Sequence, residues 1–222
     1  MKQRLETERP ARELRESNQA LSAVRSWPNS KARAWTIDAV AVATQDAAIR
    51  ALVASGSAVR DVAQSDDLDL VLVYRKSRPS LLRPPIGVDL QQHEADEVPK
   101  KLAKGHDFLS WAVRFGQPLF EREQWWSRLR ADWNGRLSLP SATEARKRAH
   151  RAQQLHQEMQ SLGDHDAATE NYVSMLTHLA RATLSDAGVL PRSRPELADQ
   201  LRQIGEAPLA DRLTEALAQR YS

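Results

Sequence analysis

Apolar residues recur along this chain at two different spacings, and the switch between them separates two kinds of structure. Ile49 to Ala54 and Leu70 to Tyr74 are short and almost wholly apolar, which predicts buried strands. Gly87 to Gln91 reads as a third. Around them the spacing is helical. Trp35, Ala39, Val42 and Ala43 predict a helix over Trp35 to Asp46, and Val98, Leu102, Leu109 and Val113 predict one amphipathic helix. Phe115 to Phe120, with Gly116 and Pro118 inside it, reads as a helix stop and a turn. Trp125, Leu129 and Trp133 fall at i, i+4 and i+8 on a further helix. Such an aromatic stripe suits a core, or alternatively a surface on which a nucleobase stacks.

Asn134-Gly135 through Pro140 is a natural boundary, and beyond it the pattern is helical throughout. Ser141-Ala142-Thr143-Glu144 has the form of a capping box, followed by Ala145, Ala149, Ala152, Leu155, Met159 and Leu162 on one face. Tyr172, Met175, Leu176, Leu179 and Thr183 mark a second helix that stops at Gly188. Ser193-Arg194-Pro195-Glu196 caps a third, and Ala207 to Tyr221 forms a fourth. The expected organisation is an arm over 1–30, a strand-containing domain over 31–139 and a helical domain over 140–222. The arm is dense in Arg and Glu, with sparse apolar positions at Leu5, Leu14 and Leu21, and ends in the turn Trp27-Pro28-Asn29-Ser30. It predicts a solvated helix interrupted near Pro10 or a partly disordered segment, the functional alternative being an Arg arm that contacts RNA or a partner.

Composition narrows the classes without choosing among them. The chain has 222 residues, 41% apolar and 27% charged, so a real core can form. Its 32 basic and 29 acidic residues leave a net charge of +3, too balanced to indicate nucleic-acid binding by itself. Arginine dominates the basic residues, 25 against 7 lysines, which favours planar two-point contacts with phosphate or carboxylate. The absence of cysteine excludes disulfides and thiolate metal sites. No apolar run approaches the ~18–20 residues of a membrane span, and no signal-peptide core is visible, so the expected location is cytoplasmic. His93, His106, His165 and His178 show no zinc-ligand spacing, and neither a Walker A sequence nor Gly-x-Gly-x-x-Gly occurs.

The chemistry concentrates in residues 55–74. Gly56-Ser57 is followed after nine residues by Asp67-Leu68-Asp69-Leu70, at the mouth of the second apolar strand. Residues i and i+2 of a strand share a face, so Asp67 and Asp69 are expected roughly 6–7 Å apart on one side of a sheet. Asp66 then belongs to the loop, as a cap or turn residue. Two adjacent carboxylates repel each other unless a cation joins them, and hard oxygen ligands of this kind suit magnesium. Glycine at 56 permits a tight turn and close backbone approach to a ligand. Ser57 could offer a hydroxyl and an amide to phosphate, with Arg60 nearby to neutralise charge.

This pattern resembles the signature of the polymerase-β-like nucleotidyltransferase superfamily, especially its minimal and kanamycin-nucleotidyltransferase-like members. That signature also has a third carboxylate flanked by apolar residues on a following strand, which Ile86-Gly87-Val88-Asp89-Leu90 supplies. The likeness covers roughly residues 48–125, about a third of the chain. Family members often carry glycine after the position of Arg60, where this chain has Asp61. The resemblance implies an α+β fold, a nucleotidyltransferase-type mixed sheet flanked by helices and followed by an all-α helical bundle. It further implies metal-dependent transfer of NMP, in the first instance AMP from ATP, to a hydroxyl acceptor with release of pyrophosphate. Gly56, Ser57 and Arg60 would bind nucleotide, and Asp67, Asp69 and Asp89 would be both the catalytic residues and the ligands of one or two Mg2+ ions. The acceptor is left open among a small-molecule hydroxyl, an RNA end and a protein side chain. One alternative is an antitoxin-type enzyme that adenylylates a partner protein; another is a catalytically silent nucleotide-binding module. The helical part resembles the helical domain found beside minimal nucleotidyltransferases, and Arg151 and His156 echo the Arg-x4-His of its nuclease members.

Overall fold

The three apolar stretches pair as strands, and a fourth joins them. The computed structural model describes residues 21–60, 65–79, 81 and 83–220; residues 1–20 of the arm and Asp61 lie outside the described residues. Strand β1 (Ile49–Ser55) pairs antiparallel with β2 (Leu68–Tyr74), which pairs parallel with β3 (Val88–Glu94). The fourth, β4 (Gln117–Glu121), runs antiparallel along the other side of β1, giving the order β3-β2-β1-β4. The architecture is therefore α+β with a mixed sheet. Residues 117–121 are a strand rather than the turn that Gly116 and Pro118 imply. Proline lacks a ladder donor but is tolerated on an edge strand, which is where β4 lies.

By its contacts the chain divides into two compact units, Met1–Ser138 and Leu139–Ser222. In the first, alternation along the strands serves two layers. Leu52, Ala54, Leu68, Leu70 and Leu72 pack on Trp35, Ala39, Val40 and Ala43 of helix α1 (Ser30–Gln45). Of the expected stripe Trp35, Ala39 and Ala43 face inward, whereas Val42 is 37% exposed and Val40 is buried in its stead. The opposite sheet face, Ala51, Val53, Val71 and Val73, is covered by α2 (Val98–Ala103), α3 (Asp107–Phe115) and α4 (Trp125–Trp133). The single amphipathic helix expected over Val98 to Val113 is thus two helices. Gly105 takes φ +72 between them, and His106 Nδ1 accepts from the amide of Leu109 to start the second. In α4 it is Trp126 and Leu129 that are buried, with Trp125 and Trp133 only half-buried against them.

The described end of the arm is not a solvated segment. Leu21 and Val24 are buried, and the amides of Arg25 and Ser26 both donate to the carbonyl of Ala58, at 2.8 and 3.2 Å. Asn29 does double service: its Oδ1 caps α1 by accepting from Ala32 at 2.8 Å, and its Nδ2 donates to Ile86 O at 3.2 Å, just ahead of β3.

The second unit is a helical bundle of α5 (Ala142–Ser161), α6 (His165–Asp186), α7 (Leu197–Gln203) and α8 (Ala207–Arg220). The capping box at Ser193 and Glu196 is complete, whereas at Ser141 only half forms, because the Glu144 carboxylate pairs with Lys147. Ala145, Ala149 and Ala152 bury the inner face of α5, but Leu155 and Leu162 of the same stripe are 37% and 70% exposed. His156 is held by its Nδ1 at 2.8 Å from Ala168 O and lies against the Tyr172 ring, while Arg151 is exposed. Among the described residues no helix is long and apolar enough to cross a membrane.

One histidine in each unit is kept neutral. Lys101 Nζ donates to His93 Nδ1 at 3.0 Å, which puts the ring proton on Nε2, a buried atom with no hydrogen-bond partner. Burial first, then the charge of Lys101 and the nearby His106, push its pKa from 6.5 to about 4. Burial and the cations Arg181, Arg148 and Arg194 push His178 down to about 4 as well. Below pH 6.5 the unfolded chain takes up protons that the folded chain refuses until about 4. The contribution of these neutral rings is whole above pH 6.5 and is lost as pH falls toward 4. Urea midpoints should decline across that interval, and His93→Gln should flatten the decline by about one proton. An unaltered slope in the variant would mean that His93 titrates normally.

Candidate carboxylate site at one end of the sheet

Because β1 and β2 are antiparallel and β2 and β3 parallel, the C-terminal end of β1 meets the N-terminal ends of β2 and β3. The register there is specific: Ser55 lies opposite Asp69, and Asp69 lies opposite Asp89. All three belong to the sheet face that carries Val53, Val71 and Val73: Ser55 and Asp69 stand two residues from Val53 and Val71 on their own strands, and Asp89 lies directly opposite Asp69. Two carboxylates from neighbouring strands are thus side by side at the rim of a packed layer. Asp69 is half-buried on a central strand, and Asp89 is exposed on an edge strand.

Asp67 stands just before β2, exposed, in the loop that leads into the strand. A hydrogen-bond chain fixes this loop. The Ser65 hydroxyl donates to the carbonyl of Asp67 at 2.6 Å, which leaves the Ser57 hydroxyl as donor to Ser65 Oγ at 2.7 Å. Asp66 is exposed in the same loop.

Gly56 closes the site from the β1 side. Its φ of 74° and ψ of −163° belong to a region that essentially only glycine occupies. A Cβ there would sit 2.1 Å from Asp69 Oδ2, so the carboxylate lies directly over the glycine backbone. After it, Ser57–Val59 form one 3₁₀ turn, buttressed by the bonds from Arg25 and Ser26 to Ala58. The Arg60 guanidinium lies 5.0 Å from the centroid of Phe115, the last residue of α3, and the Trp111 ring lies 4.9 Å from the same ring, tilted by 54°. Gly116 follows because a Cβ would come within 2.9 Å of Val53 and 2.4 Å of Ala112 O.

The residues singled out in the sequence therefore fall into two groups. Asp69, Asp89 and Gly56 come together; Asp67, Ser57 and Arg60 stand around them on loops, each already engaged. Two neighbours escaped sequence reading. Ser55 is wholly buried with a hydroxyl that has no partner, and Phe115 holds Arg60. The alternation of β1 could have placed Ser55 beside Asp69, whereas nothing local links Phe115 to Arg60.

As to a metal, no three side chains of His, Cys, Asp and Glu converge into a ready cage among the described residues. Magnesium acting on a nucleotide does not need one, because one or two carboxylates suffice when phosphates and water complete its shell. The in-register pair Asp69 and Asp89, all hard oxygen, fits that donor set. No protein-family model matches the chain, and no curated protein matches it either. Among solved structures, it is similar to a nucleotidyltransferase-like protein from Exiguobacterium sibiricum 255-15, with 18% identity and a TM-score of 0.38 over 83% of this chain and 71% of that one. So distant a likeness says nothing about reaction or substrate.

Proposed function

We propose that this protein is a metal-dependent nucleotidyltransferase that moves AMP from ATP to a hydroxyl acceptor. The observation that carries the reading is the alignment of Asp69 with Asp89 on adjacent strands, beside a glycine turn that leaves Asp69 uncovered by any side chain of its own. The Gly56-Ser57 turn would receive the triphosphate, its backbone open to close approach. Ser57 would exchange its bond to Ser65 for one to a phosphate oxygen, and Arg60 would leave Phe115 or extend past it to neutralise charge. Asp69 and Asp89, with Asp67 beside them, would hold magnesium, which would supply charge neutralisation for the phosphates and polarise the α-phosphorus. Asp89, the exposed member of the pair, would orient the acceptor hydroxyl and take its proton. The acceptor oxygen then bonds to the α-phosphorus while the bond from that phosphorus to the bridging oxygen breaks, and pyrophosphate departs.

The test is binding first and transfer second. MgATP should raise the melting temperature more than ATP with a chelator, because the carboxylates repel phosphate unless a cation intervenes. Equal shifts with and without magnesium would remove the metal from the reading. Incubation with α-labelled ATP and fractionated lysate then shows which fraction takes up label, and so names the acceptor class.

A further inference from the structure

Ser55 lies at the root of the carboxylate row, and it shares with Ser110 and Ser185, among the described residues, a buried hydroxyl without a partner. Its residue is 0% exposed, and its Oγ has no hydrogen-bond partner. Buried hydroxyls are nearly always satisfied, so an orphan asks for a reason. Nothing in the packing demands a hydroxyl here: the positions two and four residues earlier on the same face, Val53 and Ala51, are apolar and wholly buried. Alanine would fill the same space without the penalty of an unmade bond.

The register supplies the missing partner. Ser55 and Asp69 are directly opposed in the antiparallel ladder, where Cβ atoms stand about 4.5–5.5 Å apart. A serine hydroxyl rotates freely between staggered positions, so turning χ1 brings Oγ–H within reach of a carboxylate on that neighbour. In the present arrangement Asp69 leans over Gly56 instead.

We infer that Ser55 is a positioning residue for Asp69: when the carboxylate turns to a cation, the Ser55 hydroxyl donates to its second oxygen and fixes its orientation. This rests on the proposed metal-dependent reading of the site. Partners of this kind, behind a ligating carboxylate, typically account for about 10–100-fold of metal affinity. The hydroxyl stays unpartnered without the cation and becomes satisfied with it, which couples loading to relief of a buried cost.

The consequence is a pair of effects of opposite sign in one variant. Ser55→Ala should unfold at the same temperature as wild type or higher in chelator, because it deletes an unsatisfied polar group. The same variant should bind Mn2+ with α,β-methylene-ATP about 10–100-fold more weakly by calorimetry. In an Asp69→Asn background Ser55→Ala should weaken binding no further, since the charge it supports is gone. Unchanged Mn2+–nucleotide affinity in Ser55→Ala would overturn the inference. So would a lowered melting temperature in chelator, which would show that the hydroxyl already has a structural bond. Failure of the wild-type protein to bind Mn2+ with the analogue would instead overturn the carboxylate pair as a metal site, and Ser55 with it.

Discussion

Asp89→Asn is expected to keep MgATP binding within about tenfold of wild type, roughly 1.4 kcal/mol, while transfer falls by ~10²–10⁴-fold. The separation follows from where the two halves of the pair are mounted. Asp69 is half-buried on a central strand, pressed against the glycine turn that would take the triphosphate. Asp89 faces solvent on the edge strand, where an acceptor can approach. Asparagine keeps the shape and one oxygen but loses the charge and the proton-accepting capacity. Removing one of two like charges in register also lessens their repulsion, so the variant should fold at least as well as wild type. Binding is read by calorimetry and transfer with labelled ATP and the identified acceptor. A folded variant with near-wild-type turnover would take Asp89 out of the chemistry and leave its alignment with Asp69 a feature of the sheet alone.

Gly56→Val should abolish nucleotide binding outright. Two costs combine. The backbone angles at Gly56 are hostile to any side chain, with strain of order 1–3 kcal/mol. A Cβ also lands 2.1 Å from Asp69 Oδ2, so the carboxylate must be driven from its place. Gly205→Ala separates the two, because Gly205 has φ +85 and nothing within 4 Å of the added atom. It should lose stability of the same order yet bind nucleotide normally. Circular dichroism establishes folding in each case; a folded Gly56→Val protein with intact ATP affinity would place the phosphates elsewhere.

Much of the fold could be read from local spacing, and the exceptions have physical causes. Apolar runs identified β1 and β2 because both faces of a central strand are buried, which erases polar interruptions. The edge strand β4 escaped because Pro118 and the preceding Gly116 look like punctuation until a neighbouring strand is known. The break at Gly105 was hidden by Leu102 and Leu109, seven residues apart and in phase across it. Leu21 and Val24 are too sparse to signal a buried segment, since their burial depends on contact with the turn at Ala58. At the site, the two-residue period suggested that Asp67 and Asp69 share a strand face, but β2 begins at Leu68 and Asp67 remains in the loop. The side-by-side placement of Asp69 and Asp89 depends on parallel register across the loop from Arg75 to Gly87, which no spacing along the chain encodes.

That edge mounting has a further consequence in the currency of local opening. β2 has a strand on each side, whereas β3, among the described residues, shares a ladder with β2 alone. Its amides can therefore exchange with solvent through fluctuations that peel β3 away while β1 and β2 stay paired, at a free energy below that of global unfolding. Like charges directly opposed in the ladder favour such peeling at the Asp69–Asp89 end, and the bond from Asn29 to Ile86 O opposes it. The site can thus come apart without the molecule unfolding. A cation shared by the two acids would act as a clasp on the strand, slowing deuterium uptake at residues 88–90 before any change at the centre of the sheet.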